Sequence, residues 1–177
     1  MKIIKSTIET TDLVYNFLSS ADYKEAFECE FFSNKETTPD DLMIDFWTDN
    51  PSWINALFKI RNILVRPFGL RHPDDTEDKK KESLKHCIKE GKEYEIMSIP
   101  AKSDKETVMC LTDSHLTAYI AVYYDKKQDV TKLKVSTLVQ FHKLFGRIYF
   151  YMISPFHYFI VKSKIKQAVK KIGIKIT

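Results

Sequence analysis

Three histidines lie where the folded chain could bring them together. His115 follows a predicted turn, His142 ends a predicted strand, and His157 lies in a predicted helix. Three imidazoles can ligate zinc, and one imidazole can act as a general acid or base. Because their spacing matches no local metal motif, structural hydrogen bonding is the simpler interpretation. We therefore predict no metal and no other cofactor.

A second group of residues has the side chains that acyl transfer requires. Cys110, Asp113 and His115 offer a nucleophile, an orienting carboxylate and a base within one predicted hairpin. Proximity along a hairpin does not make side chains face each other, and a cysteine is often a small buried hydrophobe. The chain also has no glycine-rich phosphate loop, HExxH or GxSxG motif, so we assign no catalytic residue.

The best polar candidate for ligand binding is the start of the last predicted helix. Gly146 and Arg147 combine free backbone N–H groups with a guanidinium, a combination that can hold a carboxylate or phosphate. Alternatively, Gly146 permits close packing and Arg147 pairs with an acidic neighbour such as Asp113. On an earlier helix, Trp53 and Arg61 either border the mouth of a cavity or pack internally.

The composition predicts that residues 1–177 form a single domain. Of 177 residues, 44% are hydrophobic and 13% aromatic, with only 4 glycines and 6 prolines, which argues against disorder and long linkers. The three cysteines are widely spaced and include no CxxC pair, so neither a disulfide framework nor a zinc knuckle is expected. This cysteine usage is typical of a reducing compartment. The N-terminus does not look like a signal peptide, so a cytoplasmic protein is expected.

Alternation and capping signals predict an α+β fold. Residues 21–32 alternate like a half-buried strand. Two short helices are predicted, one beginning at Pro39 with Thr38 as its N-cap and one beginning at Pro51 with Asn50 as its N-cap. The densely charged stretch 71–92 is expected to be a mobile connection with at most a short exposed helix. Four strands between residues 94 and 143 then form an antiparallel meander, the last with an apolar inward face and a polar outward face.

A long C-terminal helix, beginning near Leu144, completes the predicted fold. Its first half is apolar nearly all round, which predicts burial on more than one side, and Pro155 predicts a kink. The uncharged run 148–161 is shorter than the ~20 residues of a membrane-spanning helix, although surface association through the aromatic half and the lysines is an alternative. Because the lysines follow the aromatic residues instead of alternating with them, we expect no nucleic-acid partner.

Four segments carry a family resemblance: DYKEAF, PSWINALFKIRNILVRPFGL, DSHLTAYIAV and STLVQFHKLFGRIYFYMISPFHYFIV. They resemble a bacterial family known as domain of unknown function 2867 (DUF2867), over most of residues 21–168. The resemblance implies a helix-grip fold of the START and SRPBCC type, and it implies no established activity. In that fold a curved antiparallel sheet wraps a long C-terminal helix, with two short helices after the first strand. Lys143 and Ala118 depart from the family pattern, which has asparagine and a large aromatic residue there.

The leading functional hypothesis is binding of a small, largely apolar or amphipathic molecule between the sheet and the last helix. Ala118 would enlarge this cavity, Tyr149 and His157 would orient the ligand, and Arg147 would meet its acidic end. An alternative is an enzyme that uses His142, His157 or Arg147 in the same cavity. A third is a homodimeric interaction module that uses the second apolar side of the last helix.

Overall fold

An antiparallel sheet with the strand order β1-β2-β6-β5-β4-β3 forms the centre of the molecule. The computed structural model describes residues 2–33, 35–65 and 77–173, apart from the side chains of 58 and 60–81. The strands are β1 (Ile4–Ser6), β2 (Tyr23–Phe32), β3 (Met97–Lys102), β4 (Glu106–Thr112), β5 (Leu116–Lys127) and β6 (Val130–Phe141). The helices are a 3₁₀ helix (Leu13–Ser20), α1 (Pro39–Thr48), α2 (Ser52–Val65), α3 (Glu77–Glu90) and α4 (Leu144–Ile172).

This architecture confirms the predicted α+β class, with a curved antiparallel sheet, a long C-terminal helix and short helices after the strand 23–32. The predicted cap of α1 is also confirmed, because the Thr38 side chain accepts a hydrogen bond from the Asp41 N–H and Pro39 occupies the first turn. The short β1 and the 3₁₀ helix, which precede the strand predicted to be first, were not expected.

The sheet packs on both of its faces. Its inner face carries the main core, where buried side chains of β2, β4 and β6 meet α1, α3 and α4, as shown by Phe27, Met43, Leu84, Met109, Leu133 and Ile165. On the outer face, the 3₁₀ helix inserts Val14 against Val108, Ala121 and Leu138. The outward side of β6 is therefore not simply solvated, and Lys134 on that side is buried.

The charged stretch 71–92 contains a longer and more buried helix than the sequence suggested. The helix α3 has 14 residues, and Leu84, Cys87 and Ile88 are fully buried in the main core. Their i, i+3, i+4 spacing is that of one helical stripe, which the surrounding charges obscure in the sequence. The expectation of at most a short exposed helix was therefore wrong, while residues 71–76 lie outside the described part.

The helix α4 begins at Leu144 as predicted and continues through Pro155. Its inner side is buried against the sheet, for example at Phe150 and Val161. The opposite side, here called the outer face of α4, exposes six large apolar side chains: Leu144, Ile148, Tyr151, Met152, Phe156 and Phe159. The prediction that the first half of this helix is buried on more than one side was therefore wrong. None of the helices in the described ranges has the length and apolar character needed to cross a bilayer.

Candidate functional site

The His157 imidazole and the Glu25 carboxylate form a hydrogen-bonded pair where α4 crosses β2. His157 Nδ1 lies 2.6 Å from Glu25 Oε1, and Glu25 is buried. Glu25 points toward α4 because it alternates in phase with the core residue Phe27 and lies opposite Thr137 of β6. A carboxylate in such a place requires a polar partner, and His157 supplies it from the inner side of α4.

Tyr23 adds a phenol to this pair. Its ring packs on Phe150 of α4 with centroids 4.6 Å apart. Burial, and then the adjacent charge of Glu25, strongly raise the pKa of Tyr23, so its hydroxyl keeps its proton and can donate it in a hydrogen bond. Tyr23, Glu25 and His157 are called the β2–α4 polar cluster below. The cluster places a donor, an acceptor and a titratable imidazole between the sheet and the helix.

Tyr149 and Ala118 face the same layer between sheet and helix, closer to the start of α4. Tyr149 is buried and packs edge-on against His115, with ring centroids 5.5 Å apart. Leu116 also packs against Tyr149, and Ala118 follows two residues later on the same side of β5, where it lies opposite Val139. These two predicted residues thus share a packed layer with His157.

Arg147 and His142 lie elsewhere. The Arg147 guanidinium is exposed, lies 3.4 Å from Asp22 Oδ1 and has Phe141 beneath it at 5.7 Å. His142 is on the outer face of the sheet, where its Nε2 lies 3.1 Å from Thr117 Oγ1. The structure therefore does not bring His142 together with His157.

The remaining predicted residues do not assemble into a site. Trp53 is exposed on α2, and the side chain of Arg61 lies outside the described part of the chain. Cys110 lies 3.4 Å from Thr112 Oγ1, whereas His115 packs on α4. Among the residues that the structure describes, no group of His, Cys, Asp or Glu side chains could hold a metal ion.

The comparisons with known proteins agree with the resemblance seen in the sequence. A family model described as Protein of unknown function (DUF2867) matches residues 17–164, which is most of the chain. The chain belongs to the DUF2867 family. Nothing matched among the curated proteins or the solved structures. The β2–α4 polar cluster and the apolar part of α4 lie within the span that matches the DUF2867 model.

Two concavities in the described part of this DUF2867 protein lie away from the predicted site residues. The larger, of about 440 Å³, is on the outer face of the sheet beside the 3₁₀ helix, and Asp12, Glu106 and Lys134 are among its lining residues. The smaller, of about 20 Å³, lies between α1 and α4 and includes Lys164. Neither is lined by a residue of the predicted ligand site.

The charged groups of the larger concavity mainly attach the 3₁₀ helix to the sheet. Lys134 Nζ donates to Asp12 Oδ1 and Oδ2 at 2.7 and 2.6 Å, and both side chains are buried. Glu106 Oε2 accepts a 2.6 Å hydrogen bond from the Leu13 N–H, and burial raises the pKa of this carboxyl. Asp12, Lys134 and Glu106 are thus already engaged in the contacts that hold the 3₁₀ helix on the sheet.

Sequence reasoning missed Glu25 and Tyr23, although a signal for both was present. The alternation that places Phe27 inward also places residues 25 and 23 inward, so a glutamate occupies a position that faces the core. A carboxylate that faces the core needs a polar or charged partner there. What the sequence alone did not show is which residue, 132 positions away, provides it.

Lys164 of this DUF2867 protein should make stability depend on pH. Its buried ammonium donates a 2.5 Å hydrogen bond to the Asp49 carbonyl, and burial lowers the pKa from 10.5 to about 8. Between these values the unfolded chain binds more protons than the folded protein, so this group adds stability as pH rises. Relative to a Lys164→Met variant, the free energy of unfolding of the wild type should increase by about 2 kcal/mol between pH 7 and 10.

Urea denaturation at several pH values measures this difference. Lys166→Met is the matched control, since it removes an exposed lysine from the same helix without emptying a buried site. Parallel profiles for the wild type and Lys164→Met would show that the Lys164 ammonium is not held in a desolvated site.

Proposed function

We propose that the protein is an interaction module whose contact surface is the outer face of α4. The observation that carries this proposal is the exposure of six large apolar side chains along one side of a single helix. Their positions recur every three or four residues from Leu144 to Phe159, so they form one continuous stripe. Scattered exposed hydrophobic residues are ordinary, but a contiguous apolar patch marks an interaction site.

The shape of this surface favours a partner larger than a small molecule. Small-molecule sites are concave and enclose most of the ligand, whereas the outer side of a helix is convex. The two concavities described above do not involve the outer face of α4. A partner with a broad surface can cover the whole apolar stripe, whereas a metabolite is too small to do so.

A small amphipathic ligand between the sheet and α4 is the second candidate, and the β2–α4 polar cluster favours it. Glu25, His157 and Tyr23 would orient the polar group of such a ligand within an otherwise apolar layer. The curved sheet packed on a long C-terminal helix also supports the proposed helix-grip relationship. Native mass spectrometry of protein purified from its own host tests this candidate by detecting a co-purifying mass.

The same cluster supports catalysis as an alternative to binding alone. The imidazole and carboxylate are within hydrogen-bond distance, the arrangement in which a carboxylate orients a general base. Tyr23 would act as a hydrogen-bond donor beside them. Neither of the two concavities described above is lined by a residue of the cluster, so the interaction module is favoured over this alternative.

Charged substitutions on the outer face of α4 test the interaction module. Phe156→Glu and Ile148→Glu should each change the free energy of unfolding by less than about 1 kcal/mol, because both side chains face solvent. They should also reduce binding of the apolar dye anilinonaphthalene sulfonate, followed by fluorescence. Val161→Glu, on the buried side of the same helix, is the control and should prevent folding. If Phe156→Glu were as damaging as Val161→Glu, the outer face would be internal packing and the proposal would be wrong.

A further inference from the structure

The charges of α4 are all of one sign. The helix carries one arginine and five lysines and no aspartate or glutamate, namely Arg147, Lys162, Lys164, Lys166, Lys170 and Lys171. The chain as a whole is nearly balanced, with 28 basic and 24 acidic residues. The positive charge is therefore concentrated on the element that also exposes the apolar stripe.

Three of these lysines extend the outer face of α4 toward its C-terminus. After Phe159, the next positions on the same side of the helix are 162, 166 and 170, and all three are lysines. Lys162 Nζ donates a 2.5 Å hydrogen bond to Tyr158 Oη and lies over the Tyr158 and Phe27 rings at 4.3 and 5.5 Å, while Lys166 and Lys170 are exposed. Within the described residues, no carboxylate lies within ion-pair distance of any of the three.

The two remaining lysines of the helix have oxygen partners on α1 or at its end. Lys164 binds the Asp49 carbonyl, and Lys171 Nζ lies 2.6 Å from Asp45 Oδ2. Lys164 and Lys171 are thus paired with groups of α1 or its end, whereas Lys166 and Lys170, on the side of the apolar stripe, have no ion pair within the described part of the chain. This division leaves Lys166 and Lys170 available to an external anionic surface.

We propose that the outer face of α4 docks on an anionic lipid bilayer, an inference that rests on the proposed interaction module. The helix would lie in the plane of the membrane, with the apolar stripe entering the boundary between headgroups and acyl chains. Lys162, Lys166 and Lys170 would contact lipid phosphates beside it. A second copy of the chain fits less well, because a two-fold contact would bring a positively charged face against itself.

Vesicle co-sedimentation of the full chain tests this inference. The probes are phosphatidylcholine vesicles and vesicles that also contain phosphatidylglycerol at about a third of the lipid. The protein should bind the anionic vesicles much more tightly, and added salt should weaken the binding. Replacing Lys162, Lys166 and Lys170 together by glutamine should weaken binding roughly a hundredfold.

The matched control changes the same number of charges elsewhere. Replacing Lys85, Lys89 and Lys92 by glutamine, on or just after α3, should leave vesicle binding within about twofold, because these lysines lie off the outer face of α4. Phe156→Glu should abolish binding while the thermal midpoint, followed by circular dichroism, stays near that of the wild type. An equal loss in both triple variants would show only a general charge effect and would overturn the proposed site.

The outcomes also separate this inference from the proposed function. The wild type could fail to bind anionic vesicles while Phe156→Glu remains stable and loses dye binding. That result would exclude a membrane as the partner and would still support the outer face of α4 as an interaction surface. A homodimer in light scattering that Phe156→Glu dissociates would assign the surface to a second copy and overturn membrane docking. If Phe156→Glu unfolds the protein, both proposals are overturned.

Discussion

Replacing Lys134 by methionine should destabilise the protein by about 3–5 kcal/mol, because it leaves the Asp12 carboxylate buried without its cation. Each side chain of the pair is only 4% exposed, so water cannot solvate the charge that remains. Asp12 also accepts a 2.8 Å hydrogen bond from the Glu9 N–H. Loss of Lys134 therefore weakens the attachment of the 3₁₀ helix to the outer face of the sheet.

Chemical denaturation of three variants measures this effect. Lys132→Met is the control on the same strand, since its ion pair with Glu28 is partly exposed and should contribute less than about 1 kcal/mol. The double variant Asp12→Asn with Lys134→Met should be more stable than Lys134→Met alone, because it removes both buried charges. If Lys134→Met cost no more than Lys132→Met, the pair would not be desolvated in solution.

Elements with a strong local signal were predictable from the sequence. The strand 23–32 alternates, α1 has Thr38 before Pro39, and the four later strands are separated by polar turns. In each case residues close in sequence determine the backbone, so no long-range contact has to be known. The helix α3 was underestimated because three buried residues among many lysines and glutamates give a weak apolar signal.

The candidate site was predictable only in part, since its pairs join distant residues. His157 stood out through the family resemblance, but its partner Glu25 comes from the other end of the chain. Lys134 lies on the polar side of β6, so its sequence position predicts exposure to solvent. In the structure, the segment around the 3₁₀ helix covers it and supplies Asp12 as its partner. A helix apolar nearly all round predicted burial on more than one side, yet the sheet covers only its inner side.

Gly146 is required by a close approach of two backbone segments. A Cβ atom at this position would overlap the carbonyl oxygen of His115 and lie 2.9 Å from the carbonyl carbon. The same carbonyl accepts a 3.0 Å hydrogen bond from the His142 N–H, which fixes the turn before β5 against the end of β6. The obstacle is backbone that is itself held in place, so it cannot move aside as a flexible side chain could.

Gly146→Ala should therefore destabilise the protein by about 2–4 kcal/mol, even though alanine favours a helix over glycine by about 1 kcal/mol. Urea denaturation measures the loss, and hydrogen exchange of the His142 amide should increase as its bond to His115 is strained. Gly91→Ala is the control, because nothing lies within 4 Å of its Cβ position and only its φ of +70° opposes the change. That variant should lose about 1 kcal/mol. Equal losses in the two variants would mean that the contact between Gly146 and His115 is looser in solution than in this structure.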